Sequence, residues 1–409
     1  MPPESKPHGE VILCTRLFPA YYTQFRCLAG QCRDDCCQDW NITFSKKDYL
    51  TVKQAKKSPQ LEELTRQAVH RLRKGADTPG REEAYAEFRT RGGHCPFFNQ
   101  DGLCALQLEC GEQTLPWVCR TFPRKEIYTY ADWSAALSPA CEGVLQLLWD
   151  LPDGVDFVME DLPRPDWRFA PRRPQYLLYP LLRERSIDIL QARQFSLGQR
   201  LLILGLALDQ VRREGWDLDG AAWSRRVDLL LSDPALSQPL AQLPASRDVF
   251  LADRLQIAWR IAPQSPFFQQ AVQFLQVSRT GQGEEAVFSC QRLAYDQAEQ
   301  AMRADLGERL DAFLENLLVS VFFYLNYPQV TTPEDVWRSF VNLCNVWGLM
   351  RFSAVVGYGL EPSIQGLFHG VVMASRASLH NKNRMDGLQE KLFSNDSADL
   401  AHLAVLIQG

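Results

Sequence analysis

Four cysteines fall within eleven residues, Cys27, Cys32 and the adjacent pair Cys36-Cys37, inside the stretch Phe25 to Trp40. A second set follows at Cys95, Cys104, Cys110, Cys119 and Cys141; with Cys14, ten of the twelve cysteines lie in the first 141 residues. Such crowding means disulfides, metal or redox chemistry. Thiolates are soft donors suited to zinc and iron–sulfur clusters. The chain starts without a basic segment leading into a long apolar core, and we find no continuous apolar span of 18 residues. Leu317 to Leu325 comes nearest and ends at Asn326 and Pro328. We therefore expect a cytoplasmic protein with no membrane partner. In a reducing compartment, dense cysteines point to metal rather than to disulfides.

Spacing narrows the chemistry. A zinc ribbon shows two CxxC knuckles, and none occurs here. Iron–sulfur sites accept more varied spacing, because four cysteines need only converge in space. The CxxxCxxC pattern of radical S-adenosylmethionine enzymes begins at Cys32-x3-Cys36, but Asp39 stands where its third cysteine belongs. Adjacent Cys36 and Cys37 cannot easily aim both sulfurs at one ion, so one ligates while the other packs or serves a second site. Cys14, Cys290 and Cys344 read as ordinary thiols.

The elements that must hold these residues divide the 409-residue chain into a cysteine-rich domain over residues 1–150, a connector over 151–175 and a mainly helical domain over 176–409. The fold class is mainly α: a metal-binding N-terminal domain followed by a helical bundle. Leu50, Val52, Leu61, Leu64, Val69 and Leu72 are spaced for one or two amphipathic helices. Asp77-Thr78-Pro79-Gly80 signals a turn, and Phe122 to Ala136 predicts a short strand pair. Five prolines between Leu151 and Gln175 argue against both helix and sheet there. Beyond them, Ser196 with Gln199 reads as a capping box opening a helix with Leu197, Leu201, Leu204, Leu208 and Val211 on one face. Leu310 to Leu325 repeats that pattern. Thr332 with Pro333, and Ser363, start two further helices.

A net charge of −5 and a pI near 5.8 exclude a general nucleic-acid binder. Twelve basic and seven acidic residues between Lys46 and Arg91 make one local exception, read as a solvated helical face.

Taken together, the first cysteine knot, CPFFNQDGLCALQ from Cys95, LPWVCRTFPR from Leu115 and SPAC from Ser138 resemble the eight-cysteine zinc- or iron-chelating domain. With a helical second half containing ENLLVSVFFYLNYP from Glu315, most of the chain resembles the bacterial flagellin lysine N-methylases. The resemblance maps the family's eight cysteines onto Cys27, Cys32, Cys36, Cys37, Cys95, Cys104, Cys119 and Cys141, with Cys110 an extra. Where the family carries Arg-Pro, this chain has Leu115-Pro116. The resemblance implies methyl transfer from S-adenosyl-L-methionine to lysine ε-amines, flagellin as protein partner, and a 4Fe-4S cluster, with zinc as the alternative. A non-catalytic metal carrier or adaptor, its helical half docking a partner, is the competing reading. A redox enzyme is the third.

A lysine amine attacks only when neutral, and its deprotonation at pH 7 costs about 4.6 kcal/mol. Catalytic and cofactor-binding residues cannot be named from the sequence. No glycine-rich turn of the dinucleotide-binding type is present: Leu202 to Leu206, the nearest stretch, sits within a helix. The cofactor site is therefore expected near the cysteine domain or at its boundary. Secondary candidates are His94 as a ligand; Arg120 and Arg124, read foremost as an ion pair tying down the knot; and Tyr128, Tyr130, Asp132 and Trp133 as an aromatic-acidic channel or core packing. Arg376, His380 and Asn381 read as a helix-end cluster.

Overall fold

A computed structural model describes residues 13–38, 42–72, 84–90, 93–129, 133–163, 174–243, 245–281, 287–380 and 399–408, with isolated positions between 385 and 393. The protein is mainly helical, as its sequence predicts. Its strands are β1 (Leu13–Pro19), β2 (Ile42–Phe44), β3 (Val69–Arg71), β4 (Ala86–Phe88), β5 (Arg124–Tyr128), β6 (Trp133–Leu137), β7 (Phe157–Pro163) and a short pair further on. The chain divides into two compact units: Phe25–Lys125 with Leu137–Gln146, and Met1–Gln24 with Glu126–Ala136 and Leu147–Gly409.

The cysteine unit is small. Its antiparallel sheet, in the order β2-β4-β3, packs with the helices Lys46–Gln54 and Pro59–Ala68 around Ile42, Val52, Leu61, Phe88, Phe97 and Leu106. Ser45 and Ser58 cap the two helices by accepting from the amides of Asp48 and Leu61. The amphipathic reading of this stretch holds as far as Ala68. Val69, assigned to the helical pattern, instead ends the helix and begins β3. The Asp77–Gly80 turn lies outside the described residues.

The helical unit carries a sheet in the order β5-β6-β1-β7, with β1 parallel to β6 and antiparallel to β7. The strand pair expected over Phe122–Ala136 is β5 and β6. The exclusion of sheet from 151–175 is corrected: β7 pairs with β1 along its whole length, from Leu13 opposite Pro163 to Pro19 opposite Phe157. It is an edge strand that ends on its proline, where the missing amide costs the ladder least.

Helical caps follow the sequence. Ser196 and Gln199 form the predicted capping box of the Leu197–Glu214 helix. Thr332 and Asp335 form another, with Pro333 in the first turn of Pro333–Leu360, and Ser363 caps Ile364–Leu379. The Pro333–Leu360 helix holds no continuous apolar run, yet it is long and on average apolar enough to cross a membrane, and 89% of its apolar window is buried within the fold. Asn342, Asn345 and Arg351 interrupt a strict apolar run without lowering the average enough to matter. The long Arg292–Tyr324 helix breaks at Gly307, whose φ of 57° a glycine adopts without steric cost.

Candidate functional site

Backbone contacts draw the separated cysteines together. The Cys95 amide donates to the Cys37 carbonyl at 2.8 Å, and Gln38 and His94 bridge in antiparallel fashion. Phe98 bridges Cys104 in the same way, so that loop closes on itself. Gly30 and Gly102 let the two cysteine loops touch backbone to backbone. A Cβ on Gly30 would stand 2.5 Å from the Asp101 carbonyl oxygen, and one on Gly102, at φ +74°, would stand 3.0 Å from the Gly30 Cα. Glu142 fastens the third segment: its carboxylate accepts from the amides of Arg33 at 2.8 Å and Asp34 at 3.2 Å, next to Cys141. Buried Asp35 then accepts from the Cys37 amide at 2.9 Å and from the Gln38 side chain.

Electrostatic coupling sorts the sulfurs into two neighbouring groups. Burial first, then Cys141, Glu142, Cys27 and Cys36, push the Cys32 thiol up to about 12. Burial also lifts Cys141 to about 12; the amides of Val144 and Gly143 pull the other way, and Cys36 and Cys27 add to the rise. Cys37 is pulled down by Cys36 but driven well above the ordinary thiol range by Cys95, burial and Cys104. Burial likewise raises Cys119, with Cys104 and Cys36 contributing. Cys27, Cys32, Cys36 and Cys141 thus make one group, and Cys37, Cys95, Cys104 and Cys119 the other, with Cys36 felt by both. Cys110, which adds to the rise at Cys104, donates its thiol to the Lys56 carbonyl at 3.5 Å.

Cys104 and Cys141 each immediately precede a helix, Ala105–Cys110 and Glu142–Trp149. Amides at a helix start favour a thiolate. Thiols crowded in this way, with Cys95 buried, Cys27 and Cys36 exposed and the rest half-buried, are a donor set that suits a soft cation, because binding replaces the lost protons with positive charge. In donor chemistry the eight cysteines therefore suit a metal group. Among the described residues, however, no three or more His, Cys, Asp or Glu side chains already stand in a shell able to hold an ion.

The secondary candidates fall elsewhere. The His94 ring stacks on Phe98 at 5.7 Å. Arg120 donates to the Gln113 side chain at 3.1 Å, and Arg124 lies over the Phe25 ring at 5.0 Å. Tyr128 and Trp133 stack at 5.9 Å, with Glu126 as their acid: it accepts from the Trp133 indole at 2.6 Å and pairs with Arg16 at 3.0 Å. Tyr130, Asp132 and Asn381 lie outside the described residues. Arg376 sits in the last turn of its helix and His380 at its C-terminal cap.

The helical unit holds a feature the sequence reading missed, a cleft of about 1120 Å³. On one wall, buried Glu315 accepts from Arg193 in bidentate fashion at 2.9 to 3.1 Å and from Arg200 at 2.6 Å. The signal was an acid amid the apolar Leu310–Leu325 run. The Ser196 helix start, Trp149, Trp347 and Arg351 line the same space.

A two-unit, mainly helical protein with a thiol-rich small unit is defined by these features. It belongs to the lysine N-methylases of the FliB type: residues 183–406 match the FliB lysine N-methylase C-terminal domain. The chain is 30% identical over 160 residues to a lysine-N-methylase of Salmonella typhimurium (strain LT2), a region covering 38% of each chain. It is 31% identical over 141 residues to the flagellar biosynthetic protein FliU of Salmonella muenchen, covering 34% of this chain and 78% of that one. The matched region thus spans well under half of the lysine-N-methylase. No solved structure matches the chain.

Proposed function

We propose that the protein transfers methyl groups from S-adenosyl-L-methionine to lysine ε-amines of flagellin, with an iron–sulfur cluster or zinc held by its cysteine unit. Membership of the lysine N-methylase family carries this reading. The flagellar name of one relative supports the choice of partner. Cys27, Cys32, Cys36 and Cys141, or Cys37, Cys95, Cys104 and Cys119, would supply the four thiolates, and the bound group would supply a Lewis-acidic or redox-active centre.

Methyl transfer itself needs a neutral amine. Taking the lysine out of water offsets the roughly 4.6 kcal/mol of deprotonation at pH 7, since burial disfavours the ammonium. The amine lone pair then forms a bond to the sulfonium methyl carbon. The carbon–sulfur bond breaks, and its electron pair stays on sulfur as the neutral thioether. The surplus proton leaves the amine for a base or water.

The test is anaerobic purification followed by visible absorption, metal and sulfide analysis, and transfer of labelled methyl groups to flagellin. A brown protein with about four iron and four sulfide that labels flagellin lysines is the expected result. Stoichiometric zinc would replace the cluster with a structural metal. An absence of lysine labelling by the metal-loaded protein would sink the methylase reading.

A further inference from the structure

The cleft in the helical unit is lined by groups that together fit one kind of ligand. Arg351 lies on its wall, and the Nε and Nη2 of this guanidinium are sealed from solvent without a partner among the described residues. Nη1 donates to the Ile407 carbonyl at 3.1 Å, and the guanidinium lies over the Phe250 ring at 4.4 Å. A buried cation with unmade hydrogen bonds is unfavourable unless something else completes it. Nearby lie further orphaned donors, the Tyr295 hydroxyl, Arg247 Nη1 and Arg254 Nε. The other arginines of the wall are answered: Arg193 and Arg200 by Glu315, Arg303 by Asp311 at 3.0 Å, and Arg309 by Asp150 at 2.7 Å. Arg351 alone on this wall combines enclosure with open donors. Burial pulls its pKa below the ordinary arginine range, opposed by Tyr295 and Glu299, which is the state an added anion reverses.

Two more features shape the ligand. The Leu197–Glu214 helix begins at this cleft, and an 18-residue helix presents a positive N-terminal end. Exposed Glu308 and Asp311, placed just after the Gly307 break, stand on the same wall. These acids oppose a phosphate dianion but suit a zwitterion, whose carboxylate meets arginine and whose ammonium meets acid. Trp149 and Trp347 offer aromatic surface, which attracts a sulfonium and packs a flat purine.

We propose that this cleft is the binding site of the sulfonium methyl donor, S-adenosyl-L-methionine, and that Arg351 receives the donor's carboxylate. The proposal rests on the methylase reading and adds the location and a specificity residue within the 183–406 segment. It places the cofactor in the helical unit, whereas the sequence reading expected it near the cysteine domain or at its boundary.

The experiment is calorimetric titration of the full-length, anaerobically purified chain with S-adenosyl-L-methionine and with its decarboxylated analogue. The same titrations follow on Arg351→Met and Arg351→Lys, and a methyl-transfer assay is run on each. Wild type is expected to prefer the donor over the analogue roughly tenfold or more, the worth of a charge-assisted pair. Arg351→Met should lose that preference, and Arg351→Lys should keep part of it. Equal binding of donor and analogue by wild type overturns the assignment of the carboxylate without needing any variant to fold. If wild type discriminates and transfers methyl groups but Arg351→Met binds as well as wild type, the site is elsewhere and the methylase reading stands. If wild type neither binds the donor nor labels lysine, the proposal falls together with the reading it rests on.

Discussion

The two units reach stability by opposite means. The cysteine unit buries a modest apolar cluster, and its thiols form part of that cluster: Cys95 is buried within it, and Cys37, Cys104, Cys110 and Cys119 pack against it. Its sheet has three-residue strands, and its loops are fastened by a few backbone contacts and two carboxylates, Asp35 and Glu142. The helical unit is built on long helices whose interior includes Trp223, Phe250, Phe313, Phe322, Phe340 and Phe352. An interior of that size tolerates charge. It encloses Glu315 between two arginines and keeps Arg254 99% buried, donating to the Asn345 carbonyl at 2.8 Å. A small core gains most from cross-linking by metal, whereas a large one can give interior volume to a polar cleft.

The largest expected effect breaks the comparison on the cysteine side. Cys119→Ala should abolish metal binding by the group of Cys37, Cys95, Cys104 and Cys119 and leave residues 25–125 more open to proteolysis, while the helical unit stays folded. Cys344→Ala is the control: its thiol is buried in the Pro333–Leu360 helix, and the change should cost only about 1–2 kcal/mol with metal content intact. Metal analysis and limited proteolysis of both variants decide the matter. Equal metal loss would mean that the helical half supplies ligands too.

On the helical side, Glu315→Ala should be the most damaging single change. It leaves the buried Arg200 guanidinium without its anion, at a cost of about 3–5 kcal/mol. Arg193, with its side chain 45% exposed, recovers much of its loss from water. Urea denaturation read by tryptophan fluorescence measures the cost. Bound metal should not change, and a variant that lost metal in step with stability would show that the two units are not independent.

Legibility in the sequence follows the range of the interaction. Ser196, Thr332 and Ser363 were readable as helix starts because a cap involves only the next three residues. The cysteines were readable as one chemistry from their residue type. Their grouping was not, since it joins loops far apart in sequence, with Gly30 against Asp101 and Glu142 reaching Arg33. β7 was hidden because its proline counts against a strand only in the sheet interior, and edge position is a property of topology rather than of local sequence. The cleft was least visible. Arg193 and Glu315 lie 122 residues apart, and nothing in the local sequence of either shows that they meet.

The smallest effect sharpens the comparison, because it tests whether the cysteine unit depends on backbone fit as well as on metal. At Gly102 the backbone stands at φ +74°, and a Cβ there would meet the Gly30 Cα at 3.0 Å. Gly102→Ala therefore combines left-handed strain, worth about 1 kcal/mol, with pressure against a neighbour that is itself main chain and cannot rotate aside. The total expected is about 1–2 kcal/mol. The loops carrying Cys27–Cys32 and Cys95–Cys104 should part slightly, so that metal binds with lower affinity but at unchanged stoichiometry. Gly111→Ala makes the contact-free control: its φ of 83° also strains any added side chain, yet nothing lies within 4 Å of the added Cβ. Competition with a chelator, measured for both variants, separates the two contributions. If Gly102→Ala and Gly111→Ala release metal alike, the loop-to-loop contact does not set the positions of the sulfurs, and the thiol groups form without it.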